Sequence, residues 1–264
     1  MRTEMSTAEI DFYRDNGYVV VEDLLDDCEL DTWRVVLDGA IEQHIAMNAQ
    51  HNQHGDSYYK NVFVQCVNLW KTNEQLKRLI VDERLGKLAV ELSGAHGVRL
   101  YHDHALVKQP WANPTNWHVD NPMDPFNSHQ AIMLWVALDD ATLQNGCMYF
   151  LPGTHKSSRF DHSGTLNETR IDGLLDVYPE WSAIEPVAAE AKVGAGVFIS
   201  GMVAHAAGPN MTRHPRRAMA MLFMPDDAVY NGRPGALPKE VAARLTVGDL
   251  LADDVHLPLI YAHP

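Results

Sequence analysis

Residues 194–224 read GAGVFISGMVAHAAGPNMTRHPRRAMAMLFM, and this stretch decides the fold. Two short apolar runs, Ala195–Ser200 and Arg217–Phe223, lie on either side of a Gly-Pro-Asn turn at Gly208–Asn210. Runs of that length, closed off by turn residues, read as strands. The same texture extends upstream. Val98–Val107, Asn116–Val119, Ala131–Leu138 and Cys147–Leu151 are β-prone, with PWANPTN, DNPMDPFNS and LPGTH as punctuation.

Before Gly97 the periodicity is helical. Thr7–Asn16 predicts a helix with Thr7 as cap and Asn16-Gly17 as stop, followed by a brief β-branched run at Tyr18–Val21. Asp26 or Asp27 starts a second helix through Asn48, with Leu30, Trp33, Leu37, Ile41 and Ile45 at helical spacing. A third runs from Asn73 to Leu92. Helices first and many short strands later predict a mainly β fold, a barrel or double sheet buttressed by N-terminal helices. No repeat, low-complexity tract or linker divides the chain, so residues 1–264 read as one domain. Within it, 1–96 supply helical support and the first strands, and 97–224 form the β core. The Pro-rich 225–264 wrap around it, with a short amphipathic piece near Val241–Leu251.

Composition limits the function. With 46% hydrophobic and 21% charged residues, the 264-residue chain can bury a core. Its 21 Lys+Arg against 35 Asp+Glu give a charge of −14, which argues against a nonspecific nucleic-acid binder, since phosphates are bound by a surplus of cations. Cys28, Cys66 and Cys147 form no CxxC pair, so disulfides and a cysteine-zinc site are not expected. The N-terminus carries early acidic residues and no apolar signal core, and no stretch reaches the length of a membrane span. A cytoplasmic protein, monomer or homodimer, acting on a small molecule is the expectation.

The chemistry is carried by Trp117-His118-Val119-Asp120. Alternate strand residues share a face, so His118 and Asp120 project together and Val119 points away. An imidazole beside a carboxylate supplies two ligands of a facial triad, which holds divalent iron and leaves positions open for cosubstrate and dioxygen. His205, delivered by the run Val197–Ile199 and set just before the Gly-Pro-Asn turn, offers the third. Arg216 and Arg217 then open an apolar strand, where an arginine is costly unless it is paired with a fixed anion. Its planar fork suits the far carboxylate of a dicarboxylic acid chelating the metal. His102 and His104, alternating around Asp103, read as satisfied strand histidines, and His51 and His54 as loop residues.

These motifs, in this order, resemble the phytanoyl-CoA dioxygenase family. The resemblance is carried by Trp117-His118-x-Asp120, by Trp135-x-Ala137-Leu138-Asp139-Asp140 leading to Asn145-Gly146-Cys147, and by Leu151-Pro152-Gly153-Thr154-His155. His205-x-x-Gly208-x-Asn210 and Arg216-Arg217-Ala218 continue it, and Phe12 to Val21 and Tyr101 to Lys108 add to it. It implies a double-stranded β-helix core of the jelly-roll, cupin-like kind, with iron(II), 2-oxoglutarate as cosubstrate, and O2. It further implies that His118, Asp120 and His205 hold the iron and are the catalytic centre. Arg216 would bind the distal carboxylate of 2-oxoglutarate, with Arg217 the neighbour to test. Trp135 would line the pocket, Lys108 would be a basic residue entering the site, and the Pro152-Gly153-Thr154-His155 turn would be structural.

The chain departs from the family pattern at two places. Ala206-Ala207 stand where the family often has Gly-Ser, and Val119 where Gln is frequent. The activity implied is hydroxylation of an unactivated C–H bond of a small or mid-sized metabolite, coupled to decarboxylation of 2-oxoglutarate to succinate. A halogenating relative would lack the Asp120 carboxylate. Two other readings are compatible with the same residues: a cupin-like metal enzyme that does not use 2-oxoglutarate, and a non-catalytic β-sandwich binding module. Selectivity would lie in the loops Ala49–Lys60, Asn121–Gln130 and Lys156–Trp181, where Tyr58, Tyr59, Asn121 and Phe126 suggest a mixed polar and apolar pocket.

Overall fold

Helix α1 (Thr7–Asn16) starts where Ser6 and Glu9 close a capping box: the Ser6 hydroxyl accepts from the Glu9 amide, and the Glu9 carboxylate accepts from the Ser6 amide. The cap is thus Ser6, one residue ahead of the expected Thr7. Gly17 ends the helix in left-handed backbone, φ 83°. Helix α2 (Asp27–Asn48) buries Leu30, Trp33, Leu37 and Ile41, while Ile45 stays exposed. The single helix expected over Asn73–Leu92 is two, α3 (Glu74–Ile80) and α4 (Glu83–Ser93). Asp82 makes the break, because its carboxylate accepts from the Arg84 amide and caps a new helix. The structure, a computed structural model, describes residues 1–48 and 62–264. The expected loop Ala49–Lys60, with His51, His54, Tyr58 and Tyr59, lies outside the described residues.

The larger sheet runs in the order β1 (Tyr18–Val21), β8 (Gly196–Ser200), β5 (Ile132–Ala137), β10 (Arg216–Pro225), β3 (Gly97–Lys108), β11 (Leu259–Ala262). Strand β2 (Val64–Val67) pairs with the C-terminal half of β3, and β11 with its N-terminal end. The smaller sheet is ordered β4 (Thr115–His118), β9 (His205–Ala207), β6 (Met148–Phe150), β7 (Val187–Ala189). All these pairings are antiparallel. The two sheets form the expected jelly-roll. The larger one extends beyond 97–224, since β1, β2 and β11 join it from the two ends of the chain. Of the amphipathic piece expected near Val241–Leu251, only its start, in the short helix Lys239–Ala242, is helical.

Both faces of the larger sheet are covered. Along β5, Ile132, Leu134 and Val136 pack with the helices, while Met133, Trp135 and Ala137 face the smaller sheet. Strand β10 alternates in the same way: Met219, Met221 and Phe223 lie on the helix side, and Ala218, Ala220 and Leu222 on the inner side. This is why these strands read as unbroken apolar runs. Small Ala218 and Ala220 on the inner face keep the space between the sheets open.

Candidate metal centre and cosubstrate pocket

His118 and His205 end up opposite each other because β4 pairs with β9 in a register that matches the two residues. Their ring centroids lie 4.1 Å apart. Strand β4 ends at His118, so Asp120 sits in the turn beyond it, with helical backbone (φ −74°, ψ −53°), rather than on the strand itself. Strand alternation therefore predicts the neighbours correctly but not the conformation that brings Asp120 in. The Val119 amide donates to Ser163 O and the Asn121 amide to Gly201 O, which pins this turn on both sides.

The resulting geometry is that of a ligand set. His118 Nε2 is 3.4 Å from Asp120 Oδ1, and His205 Nε2 is 3.8 Å from Oδ2. The three donor atoms lie within 4.8 Å of one another. Each imidazole has its other nitrogen against a backbone carbonyl, His118 Nδ1 on Asn116 O at 2.8 Å and His205 Nδ1 on Val203 O at 3.1 Å. A carbonyl only accepts, so each Nδ1 carries a proton, and Nε2 is the atom turned toward the carboxylate and left for a metal. Burial and the nearby His118 ring hold His205 down at about 4, so it is neutral. Burial opposes ionisation of Asp120, yet His205 and His118 together pull its carboxyl below the usual range. A carboxylate and two neutral imidazoles are the forms that bind a divalent metal.

The Pro152-Gly153-Thr154-His155 turn braces this arrangement. Thr154 Oγ1 accepts from the Ala204 amide and donates to Leu151 O, immediately before His205. His155 Nε2 donates to Arg14 O, which ties the turn to α1.

Arg216 heads β10 on its inner face, and its guanidinium lies over the ring of Trp135 at 5.0 Å and near that of Phe63 at 5.8 Å. It is only 1% exposed, and burial pushes its pKa down to about 10, so it remains charged near neutrality. Among the described residues its Nε and Nη2 have no hydrogen-bond partner, and neither does Thr115 Oγ1 or Asp120 Oδ2. All four atoms belong to residues lining one narrow cavity of 80 Å³, together with His118, His205 and Trp135. A buried unpaired cation is expensive, so its surroundings match an anion held there. The Asp120 oxygen, without a hydrogen-bond partner among the described residues, would face a metal in the same way. The residues present thus fit both groups.

Arg217, one step along the strand, points the opposite way. It donates to Asp139 at 2.8 Å and to Asp38 on α2 at 2.8 Å. Lys108, directly opposite Arg216 in the β3–β10 register, is fully buried but does not line the cavity. Its ammonium donates to Asn113 O at 2.6 Å and lies over Phe63, and burial pushes it down to about 7. Asn121 and Phe126 are buried within their own loop. Asn121 bonds Asp124 and Ser128, and Phe126 packs edge-on against Tyr101. Sequence reading missed Thr115 and Gln65, which line the cavity with no motif to mark them. It also took His102 and His104 as satisfied, whereas His102 Nδ1 and His104 Nε2 are buried without hydrogen-bond partners among the described residues.

An antiparallel double sheet that gathers these ligands beside an enclosed arginine has the form of the iron- and 2-oxoglutarate-dependent dioxygenases. Within that class the chain belongs to the phytanoyl-CoA dioxygenase (PhyH) family, which it matches over residues 13–218. It is 22% identical over 254 residues to the peroxisomal phytanoyl-CoA dioxygenase of Rattus norvegicus, covering 90% of this chain and 74% of the relative. Among solved structures it resembles SnoK, a non-heme α-ketoglutarate-dependent carbocyclase of nogalamycin biosynthesis, with a TM-score of 0.81, 28% identity and 97% coverage of each chain. The epimerase SnoN in complex with Fe3+, α-ketoglutarate and nogalamycin RO gives a TM-score of 0.71 at 25% identity, covering 96% of this chain and 97% of the other. The protein is accordingly an oxidoreductase, and the reading as a non-catalytic module falls away. No helix among the described residues is long and apolar enough to cross a membrane.

Proposed function

We propose that the chain, acting as one domain over residues 1–264, hydroxylates an unactivated C–H bond of a small or mid-sized organic metabolite and turns 2-oxoglutarate into succinate and CO2. The observation that carries this reading is the enclosure of the His118–Asp120–His205 cluster and the unpartnered Arg216 guanidinium in one cavity. When bound, iron with 2-oxoglutarate and dioxygen supplies an oxidant able to take hydrogen from such a bond.

The protein's own groups do the rest. His118, Asp120 and His205 hold the metal from one side, their orientation fixed by the Asn116 and Val203 carbonyls. Arg216, clamped between Trp135 and Phe63, receives the distal carboxylate and so orients the cosubstrate. Lys108 stands behind this pair and supports the Asn113 loop. The intact Asp120 carboxylate favours hydroxyl over halide transfer. The chain is taken to work in the cytoplasm, as a monomer or homodimer.

Anaerobic reconstitution with Fe(II), followed by oxygenation with 2-oxoglutarate and a panel of metabolites, tests the reading through succinate formation. His118→Ala and Asp120→Ala should each lower turnover by about 100-fold or more. Full activity in either variant sinks the assignment.

A further inference from the structure

On the far side of the metal ligands from Arg216 lies a second cavity of 440 Å³. Gln65, His104, His118 and Asp120 line both cavities, so the two are lobes of one site. The wall of the larger lobe is apolar over Val67, Met123, Met133, Leu166 and Leu222. Tyr101, Asp124, His102 and His104 interrupt it. Two of these polar groups are engaged: Tyr101 Oη accepts from the Ala236 backbone amide, and the Asp124 carboxyl accepts from the Asn121 side-chain amide.

The histidines have spare capacity. On β3 they take alternate positions, His102 opposite Leu222 and His104 opposite Ala220 of β10, so both rings project inward with centroids 5.2 Å apart. His102 Nδ1 and His104 Nε2 are buried with no hydrogen-bond partner among the described residues. Gln65 fixes the tautomer of one of them. Its side-chain amide nitrogen is 3.0 Å from His104 Nδ1 and donates there, which leaves the ring proton on Nε2. Neither atom joins the metal-ligand cluster.

A buried donor or acceptor left unmatched is costly, so a substrate that satisfies it is selected over one that cannot. A neutral imidazole offers a hydrogen bond but no countercharge. Among the described residues no lysine or arginine lines this lobe, while Asp120 and Asp124 do. An anionic substrate would therefore find no side-chain cation in the wall of this lobe.

We infer that this lobe takes an uncharged, oxygen-bearing substrate, a hydroxylated or keto-substituted hydrocarbon frame whose oxygen is held by His104 and His102 beside the metal ligands. The inference rests on the proposed function, because it names the substrate class of that site. The apolar wall receives the hydrocarbon, and the two rings decide which carbon faces the metal.

Calorimetric titration of the full chain with 2-naphthol and with 2-naphthoate, one neutral and one anionic on the same ring, tests it. Naphthol should bind at least about tenfold more tightly than naphthoate. His104→Leu and His102→Leu should each weaken naphthol binding about tenfold. His104→Gln, which keeps a donor, should recover part of the loss, and thermal unfolding reports that each variant is folded. Equal or tighter binding of naphthoate, no binding of naphthol, or naphthol affinity unmoved by both leucine substitutions would overturn the inference. Titration of the wild type with Mn(II) and 2-oxoglutarate is read separately. If that fails while naphthol binds selectively, the proposed function falls and the recognition of neutral oxygen compounds stands; the reverse pattern removes only the substrate class.

Discussion

At the head of β10, one residue step separates a guanidinium enclosed beside Trp135 from one bound to Asp139 and Asp38. Strand alternation forces that division, since adjacent residues face opposite sides of the sheet. It sets different expectations for the two positions. Arg216→Ala removes a charge-assisted contact worth about 1.5–3 kcal/mol, so the 2-oxoglutarate concentration needed for half-maximal turnover should rise by roughly 10- to 100-fold. Arg217→Ala should leave that concentration unchanged and lower stability by about 1 kcal/mol in urea denaturation, the value of a partly exposed ion pair. If only the Arg217 variant loses cosubstrate affinity, the roles are reversed. The set His118, Asp120 and His205 is legible in the ordered motifs because each lies at a strand end or turn whose local signals are strong, whereas the choice between Arg216 and Arg217 needs the register of β10. His102, His104, Gln65 and Thr115 are not legible, because a histidine or threonine in a strand carries no mark of what stands opposite it.

Strand β3 is the element on which both lobes depend, and Asp103 anchors its outer face. Its carboxyl accepts from the Leu69 and Trp70 amides, joining β3 to the turn that precedes α3. Burial outweighs these bonds and raises the carboxyl to about 7 from an ordinary 3.8. The folded state then keeps a proton that the unfolded chain has released, so stability is full below pH 4 and falls as pH rises through about 7. The slope from this group is up to about 1.4 kcal/mol per pH unit. Asp103→Asn cannot release that proton. The stability difference between wild type and variant, measured in urea from pH 5 to pH 8, should therefore shift toward the variant as pH rises. A difference independent of pH would mean that Asp103 is ionised in the fold. At this scale sequence reading located most strands and the first two helices. It merged α3 with α4 because helical periodicity continues across Asp82, and a cap is decided by which backbone amide the side chain reaches.

Across the whole molecule, the three metal-ligand positions come from β4, the turn that follows it and β9, and they converge only when the smaller sheet is formed. A metal bound there stabilises the native state and not the unfolded chain. At a free Mn(II) concentration 100 times the dissociation constant, the gain is about 2.7 kcal/mol, which for a chain of this size is a rise in Tm of roughly 5–10 °C. Asp120→Ala should lose most of that rise in a thermal melt, and an equal rise in the variant would place the metal elsewhere. The sequence alone determined the alternation of apolar runs and turns, the acidic balance, and the order of histidine, aspartate, histidine and arginine. Those are local properties, set by side-chain type and strand period. The tertiary structure alone decided that β1, β2 and β11 complete the larger sheet and that Asp120 enters through a helical turn. It also decided that Arg216 faces the cavity and Arg217 the helices, and that His102 and His104 open onto a second lobe. Each of these depends on pairing register between segments far apart in the chain, and register is fixed by which faces are buried once the sheets meet.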